Sequence, residues 1–287
     1  MSSFWIDLLY AKHRRAGKRY STRVIEQGSG PAVIMLHGTG GHAEAFSRNF
    51  KALSKNFHLY AMDLLWHGQS EKPAFTGKTL ELWMDQVIDL MDSEGIEQAH
   101  IEGESLGGWV GLYLALAYPE RVKSLVLNTT GGVKLPDEML HEADLESLRT
   151  RSIAAISNPT AESVRKRLEW LMAAPERVTD ELVEVRLAYY SDPAVQEGLR
   201  NVFNTQLDPS FRSKHELTGE QLKALRCPSL VLWTDKNPHR DIAAGRKIAE
   251  LIPHSRFHVL EDAAHWPQWE KPQEHDRLVT EFFNGIA

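Results

Sequence analysis

Short apolar runs alternate along the chain with amphipathic stretches of helical period. This rhythm predicts a mostly parallel sheet with helices on both faces. Ala32 to Leu36, His58 to Met62, Ala99 to Glu102, Lys123 to Leu127, Ser229 to Trp233 and Arg256 to Leu260 have the length and apolar content of buried strands. Tyr20 to Gln27 reads as an earlier strand, closed by Gly28-Ser29-Gly30-Pro31. Leu80 to Ser93, Leu106 to Tyr118, Leu217 to Leu225, Ile242 to Ile252 and Pro272 to Phe283 read as the intervening helices, the second stopped by Pro119.

From about Val133 to Arg212 the rhythm breaks. The segment is charged and helical, with Pro136, Pro159, Pro175, Pro193 and Pro209 at helix boundaries. The organisation expected is therefore a core of residues 1–132 and 213–287, with a helical cap inserted at 133–212. Open α/β sheets bind ligands beyond the carboxyl ends of their strands, so a cap over that edge closes a pocket and excludes water.

Composition narrows the function classes. A chain of 287 residues that is 42% hydrophobic buries a large core without disulfides. The formal net charge of -6 and the lack of a strong basic block argue against a nucleic-acid partner. The basic cluster Lys12 to Arg19 reads as a solvated first segment. Cys227 is the single cysteine, so no intrachain disulfide forms, and a reducing cytoplasm is expected. No apolar run approaches the ~20 residues of a membrane span, and no signal peptide is read. Phe4 to Tyr10 is expected to form an amphipathic first helix, packed on the domain or on a second copy in a homo-oligomer. No His/Asp/Glu cluster has metal-ligand spacing, so neither metal nor cofactor is expected, and the partner is a small-molecule substrate.

Gly103-Glu104-Ser105-Leu106-Gly107-Gly108 follows a predicted strand and opens a predicted helix. That is the context of a G-x-S-x-G nucleophile elbow, in which a sharp turn lifts the Ser105 hydroxyl above the sheet. Nucleotide-binding turns share such glycines, but the spacing here is not G-x-G-x-x-G. The Leu106 N–H is one expected oxyanion donor. The loop His37-Gly38-Thr39-Gly40-Gly41 follows a buried strand and offers the Thr39 N–H as the second. His265 lies after the last predicted strand, where the order serine, acid, histidine puts the base. The acid should follow Ser229 to Trp233, yet its usual position holds Asn237, with Asp235 two residues before it. Asparagine orients an imidazole but does not stabilise an imidazolium by charge, so Asp235 is recruited by a shifted loop, or the site works as Ser-His-Asn with weaker base catalysis, or the reaction needs little base catalysis of this type.

The elbow, the loop His37 to Gly41 and the segment Asp63 to Ser70 together resemble the α/β-hydrolase superfamily across the whole chain. Two stretches resemble, more narrowly, the meta-cleavage-product hydrolases, which cut carbon–carbon bonds in dienoate ring-fission products of aromatic catabolism. These are His265 to Glu270 and Thr179 to Arg186. The resemblance implies that Arg186 and the Trp266 indole bind the dienoate end of the substrate, beside Gly38 and Gly40 of the glycine loop. An arginine fork matches a carboxylate. The chain departs from that family at Asn237 and at Glu104, where asparagine is usual before the nucleophile. A carboxylate there repels an anionic substrate unless it is paired or protonated. Trp66 is also bulky where glycine is common, which narrows or stiffens its loop. Three functions are carried forward: a carbon–carbon bond hydrolase, a carboxylesterase or lactone hydrolase, and a cofactor-free lyase, oxygenase or ligand-binding protein on the same fold.

Overall fold

The computed structural model describes residues 3–136, 142–238 and 240–286. Eight strands form one sheet: β1 (Lys12–Ala16), β2 (Thr22–Gln27), β3 (Ala32–Leu36), β4 (His58–Met62), β5 (Ala99–Glu104), β6 (Val122–Asn128), β7 (Ser229–Thr234) and β8 (Ser255–Leu260). Their order is β1-β2-β4-β3-β5-β6-β7-β8. The β1–β2 and β2–β4 pairs are antiparallel, and the ladder from β4 through β8 is parallel. Central β5 and β7 are buried at every position, as a sheet covered on both faces requires.

Two local expectations need correction. Lys12 to Ala16 is a strand and not merely a solvated segment. It pairs in register with β2 at the sheet edge, and Arg14 spans Glu26 and Glu94. Charged side chains on an edge strand discourage further strand pairing, so polarity here marks an edge and not a loop. The helix expected over Leu217 to Leu225 contracts to Gly219–Leu222. Thr218 and Gln221 form a capping box that starts it late. Leu217 is instead tied by its backbone to Gly132 and Lys134, bridging the points where the chain leaves and re-enters the sheet.

Between β6 and β7 the described elements are helical: Glu142–Ser157, Ala161–Glu169, Asp180–Tyr190, Pro193–Gln206 and Pro209–His215, with a 3-10 turn at Pro175–Arg177. Thr160, Thr179, Asp192 and Asp208 cap four of them, and Pro193 and Pro209 occupy first-turn positions where no N–H is missed. The Tyr190 hydroxyl donates to the Gly40 carbonyl at 2.9 Å, and the Tyr189 hydroxyl to Glu44 Oε1 at 3.0 Å. These bonds seat the insertion on the loop that follows β3. Trp66 packs edge-on to Phe75 and Trp83, and its Nε1 donates to the Pro73 carbonyl, so its bulk stiffens this loop.

The first helix is short, Phe4–Asp7. Phe4 and Leu8 pack on the domain, while Trp5, Ile6, Leu9 and Tyr10 are exposed. Among the described residues no helix is long and apolar enough to cross a membrane.

Candidate active site

β5 runs straight into the helix Leu106–Ala117, and Ser105 at the junction has φ 52° and ψ -107°. A non-glycine residue held there stores on the order of 1–3 kcal/mol of strain. Close packing enforces the bend: a Cβ on Gly107 would stand 2.0 Å from the Leu36 carbonyl oxygen. Leu106 is the first residue of the helix, where backbone N–H groups lack intrahelical acceptors.

The loop after β3 is fastened by two buried histidines. His37 Nδ1–H donates to the Gly38 carbonyl at 2.8 Å, and its Nε2 accepts from the Leu64 N–H at 3.1 Å. His67 Nδ1–H donates to the Leu65 carbonyl, and its Nε2 accepts from the Gly40 N–H at 3.1 Å. Burial lowers the basicity of both rings, that of His67 to about 3, so each acts as a neutral donor–acceptor pin. Gly40 is thus occupied by His67 and Tyr190. Thr39 lines the cavity, with Gly38 beside it.

His265 is held by its backbone, its N–H donating to the Leu171 carbonyl and its carbonyl accepting from Thr129 Oγ1. Its Nδ1 lies 2.8 Å from Asn237 Oδ1. The Asn237 amide is oriented by a second bond, Nδ2 donating to the Arg240 carbonyl at 3.0 Å. The oxygen therefore faces the ring, Nδ1 carries the proton and Nε2 keeps its lone pair. Asp235, the alternative acid, is exposed and accepts from the Ala263 N–H at 3.2 Å, away from the imidazole.

Glu104 is the unexpected feature. Its carboxyl is buried, Oε2 accepting from the Gly38 N–H at 2.6 Å and Oε1 lying 3.3 Å from His265 Nε2. A Cβ on Gly38 would come within 2.3 Å of that carboxyl, so only glycine fits there. Burial pushes the Glu104 pKa up to about 8, against the Gly38 N–H and the positive charges of Arg186 and Arg167. Burial, helped by Arg167, draws His265 down to about 3. Both shifts favour the uncharged forms of the two groups.

Ser105, His265, Glu104, Thr39, Gly38 and Trp266 line one small cavity of about 30 Å³, together with Leu148, Arg167 and Leu171 from the segment between β6 and β7. Arg186 is buried beside it, its guanidinium carbon 5.5 Å from the centre of the Trp266 ring. Its Nη1 donates to the Tyr190 hydroxyl at 3.2 Å, while Nε and Nη2 have no hydrogen-bond partner among the described residues. Arg167 is similar: Nε donates to Ser152 Oγ at 3.1 Å and Nη1 is unpartnered among the described residues. Burial lowers its pKa to about 10. Sequence reasoning missed Arg167, although it shares a helix face with buried Val164 and Leu168. A cation on an apolar stripe was the available signal.

Comparison with known proteins shows the family. Residues 31–272 match the family described as the alpha/beta hydrolase fold. The chain is 30% identical over 268 residues to a 2-hydroxymuconate semialdehyde hydrolase of Pseudomonas putida, covering 92% of this chain and 90% of that one. It is 28% identical to a 2-hydroxy-6-oxo-6-phenylhexa-2,4-dienoate hydrolase of Comamonas testosteroni, covering 90% and 89% of the two chains. Among solved structures, it superposes on a meta-cleavage product hydrolase from Pseudomonas fluorescens IP01 with a TM-score of 0.82 and 28% identity, over 96% of this chain and 98% of that one. The chain is therefore an α/β hydrolase and belongs with the meta-cleavage-product hydrolases of that family.

Proposed function

We propose that this enzyme hydrolyses the carbon–carbon bond beside a ketone in an anionic 2-hydroxy-6-oxo dienoate, with Ser105 as nucleophile and His265 as base. The observation that carries the reading is the buried Arg167 guanidinium on the cavity that Ser105 lines, with the buried Arg186 guanidinium against Trp266 of the same cavity. An uncompensated buried charge is costly, so Arg186 and Arg167 are built to receive an anion. A dienoate carboxylate has the matching charge and planar shape. The positive charges of Arg186 and Arg167 act on Glu104 and offset the repulsion that its carboxylate would impose on such a substrate.

In this reading the bound dienol first takes its keto form. His265 Nε2 accepts the Ser105 proton as Oγ adds to the ketone carbon, and the Thr39 and Leu106 N–H groups hold the resulting oxyanion. The adjacent carbon–carbon bond then breaks. Its electron pair leaves with the dienolate fragment, which takes up a proton, and the acyl group remains on Ser105. Water, activated by His265, releases the acid. Asn237 keeps the imidazole in the required tautomer, and Trp266 forms a wall of the cavity.

The cavity has room for one or two waters and not for a dienoate, so the helix that carries Arg167, taken as part of a cap, shifts to admit substrate. The single cysteine supports a reducing cytoplasmic location, and exposed Trp5, Ile6, Leu9 and Tyr10 support a face for a second copy.

The test is a substrate panel. Dienoate ring-fission products should lose their near-visible absorbance with the wild type, and Ser105→Ala should slow this by about 10³-fold or more. Short p-nitrophenyl esters turned over far faster than every dienoate would instead favour an esterase. Full activity in Ser105→Ala would leave only the lyase, oxygenase or binding-protein alternatives.

A further inference from the structure

We propose that Glu104 supplies, from the Nε2 side of the His265 ring, the negative charge that Asn237 cannot supply from the Nδ1 side. The proposal rests on the Ser105–His265 reading but not on the identity of the substrate.

The geometry leaves few alternatives. The imidazole has two nitrogens, and Nδ1 faces an amide oxygen whose orientation is fixed by the Asn237 bond to the Arg240 carbonyl. An amide carries no charge to stabilise the imidazolium that forms when His265 takes the Ser105 proton. The other nearby carboxylate, Asp235, points to the Ala263 N–H. Glu104 lies 3.3 Å from Nε2, and its second oxygen is anchored by the Gly38 N–H at 2.6 Å. It is adjacent in sequence to Ser105 and ends a strand buried at every position, so its position is as rigid as that of the nucleophile. The charged and titratable groups facing this carboxyl are His265 from the loop after β8, and Arg167 and Arg186 from the insertion.

Two consequences act in the same direction. While protonated, Glu104 donates into the Nε2 lone pair and competes for the site that must accept the Ser105 proton. Once ionised, it vacates that lone pair and offsets the positive charge that develops on the ring. Glu104 is therefore a positioning residue whose loss of a proton switches the base on. Activity governed by His265 alone would rise near pH 3 and be flat above it, whereas control by Glu104 makes it rise near pH 8.

The test uses the full chain and a fluorophosphonate probe, whose capture depends on Ser105 activation and not on dienoate recognition. The Ser105 Oγ–phosphorus bond forms, fluoride leaves, and the proton passes to His265. Labelling of the wild type is expected to rise with pH about an apparent pKa near 8. Glu104→Ala should label at least about 10-fold more slowly at pH 9 and show little dependence on pH. Adding Asn237→Asp to that variant should restore most of the lost rate, because the charge returns on the other side of the ring. Asn237→Asp alone, which keeps Glu104 and its packing, should move the midpoint of labelling upward, because a second carboxylate across the ring disfavours ionisation of Glu104. Equal rates and profiles for Glu104→Ala and wild type would overturn the proposal. So would failure of Asn237→Asp to rescue Glu104→Ala, or an unchanged midpoint in Asn237→Asp alone. A wild type that never labels, like the Ser105→Ala control, would remove the nucleophile itself and the proposal with it.

Discussion

β5 carries two glutamates, Glu102 and Glu104, and each meets a buried histidine, yet the two pairs reach opposite protonation states. Glu102 Oε1 lies 3.1 Å from His275 Nε2, and His275 Nδ1 lies 3.0 Å from Asp276 Oδ1. Burial works against charge on His275, but Glu102 and Asp276 overcome it and raise its pKa to about 9. Burial raises the Asp276 carboxyl in turn, and Asn49 and His275 hold it by hydrogen bonds. Glu104 meets His265 at a similar distance, 3.3 Å, but the Nδ1 partner is Asn237 and Arg167 adds to the burial penalty. A ring with carboxylates on both nitrogens stays charged and ties the fold together. A ring with one carboxyl and one amide stays neutral and keeps a lone pair for chemistry. The two pairs differ at both nitrogens: Glu102 is the largest cause that raises His275, with Asp276 next, whereas the Nδ1 partner of His265 is the uncharged Asn237.

The comparison breaks most visibly in stability. His275→Gln leaves Glu102 and Asp276 facing each other without a cation, and removal of one partner from a buried ionic group costs about 3–5 kcal/mol. His265→Gln removes a neutral ring and should cost about 1 kcal/mol, the scale of one net hydrogen bond. Urea unfolding of the two variants measures the gap, and equal losses would erase the distinction.

Next in size is an exchange of partners. Asn237→Asp should make His265 resemble His275, raising its pKa by about 1–3 units. Asp276→Asn should lower His275 by a similar step. Ring-nitrogen NMR titrations read both, and an unmoved His265 would show that the Nδ1 partner does not set the charge.

A third effect is the pH dependence of stability. Glu104 holds its proton more tightly folded than unfolded, with a pKa of about 8 against an ordinary 4.5. Its contribution to stability is thus complete below pH 4.5 and lost as pH rises through 8. Glu104→Gln should gain on the wild type between pH 5 and pH 8. The gain in Tm is about 2–4 °C for each kcal/mol of linkage removed. A constant difference across that range would mean that Glu104 is already ionised in the fold.

Much of this was readable from the chain. β3 and β4 follow their apolar runs residue for residue, because a buried parallel strand leaves no choice of pattern. The elbow was legible because Gly103, Ser105 and Gly107 are demanded by contacts as close as that of Gly107 with Leu36. β1 was hidden because an edge strand is selected for charge and not for apolar content. Asn237 and Asp235 were both legible as options, but that Asn237 and not Asp235 meets the ring depends on loop geometry that spacing does not encode. Glu104 was seen as an oddity. Its neutrality comes from burial contributed by elements distant in sequence, including Gly38, 66 residues away. Arg167 was hidden in a run of basic residues, of which only the one on the apolar stripe turns inward.

The central claim is hydrolysis of a carbon–carbon bond at Ser105, and the direct measurement is turnover of a 2-hydroxy-6-oxo dienoate in ¹⁸O-labelled water. The account predicts one labelled oxygen in the released carboxylic acid for each dienoate consumed, and loss of this reaction in Ser105→Ala. Decay of the dienoate without incorporation of label, or at the same rate in Ser105→Ala, would contradict it.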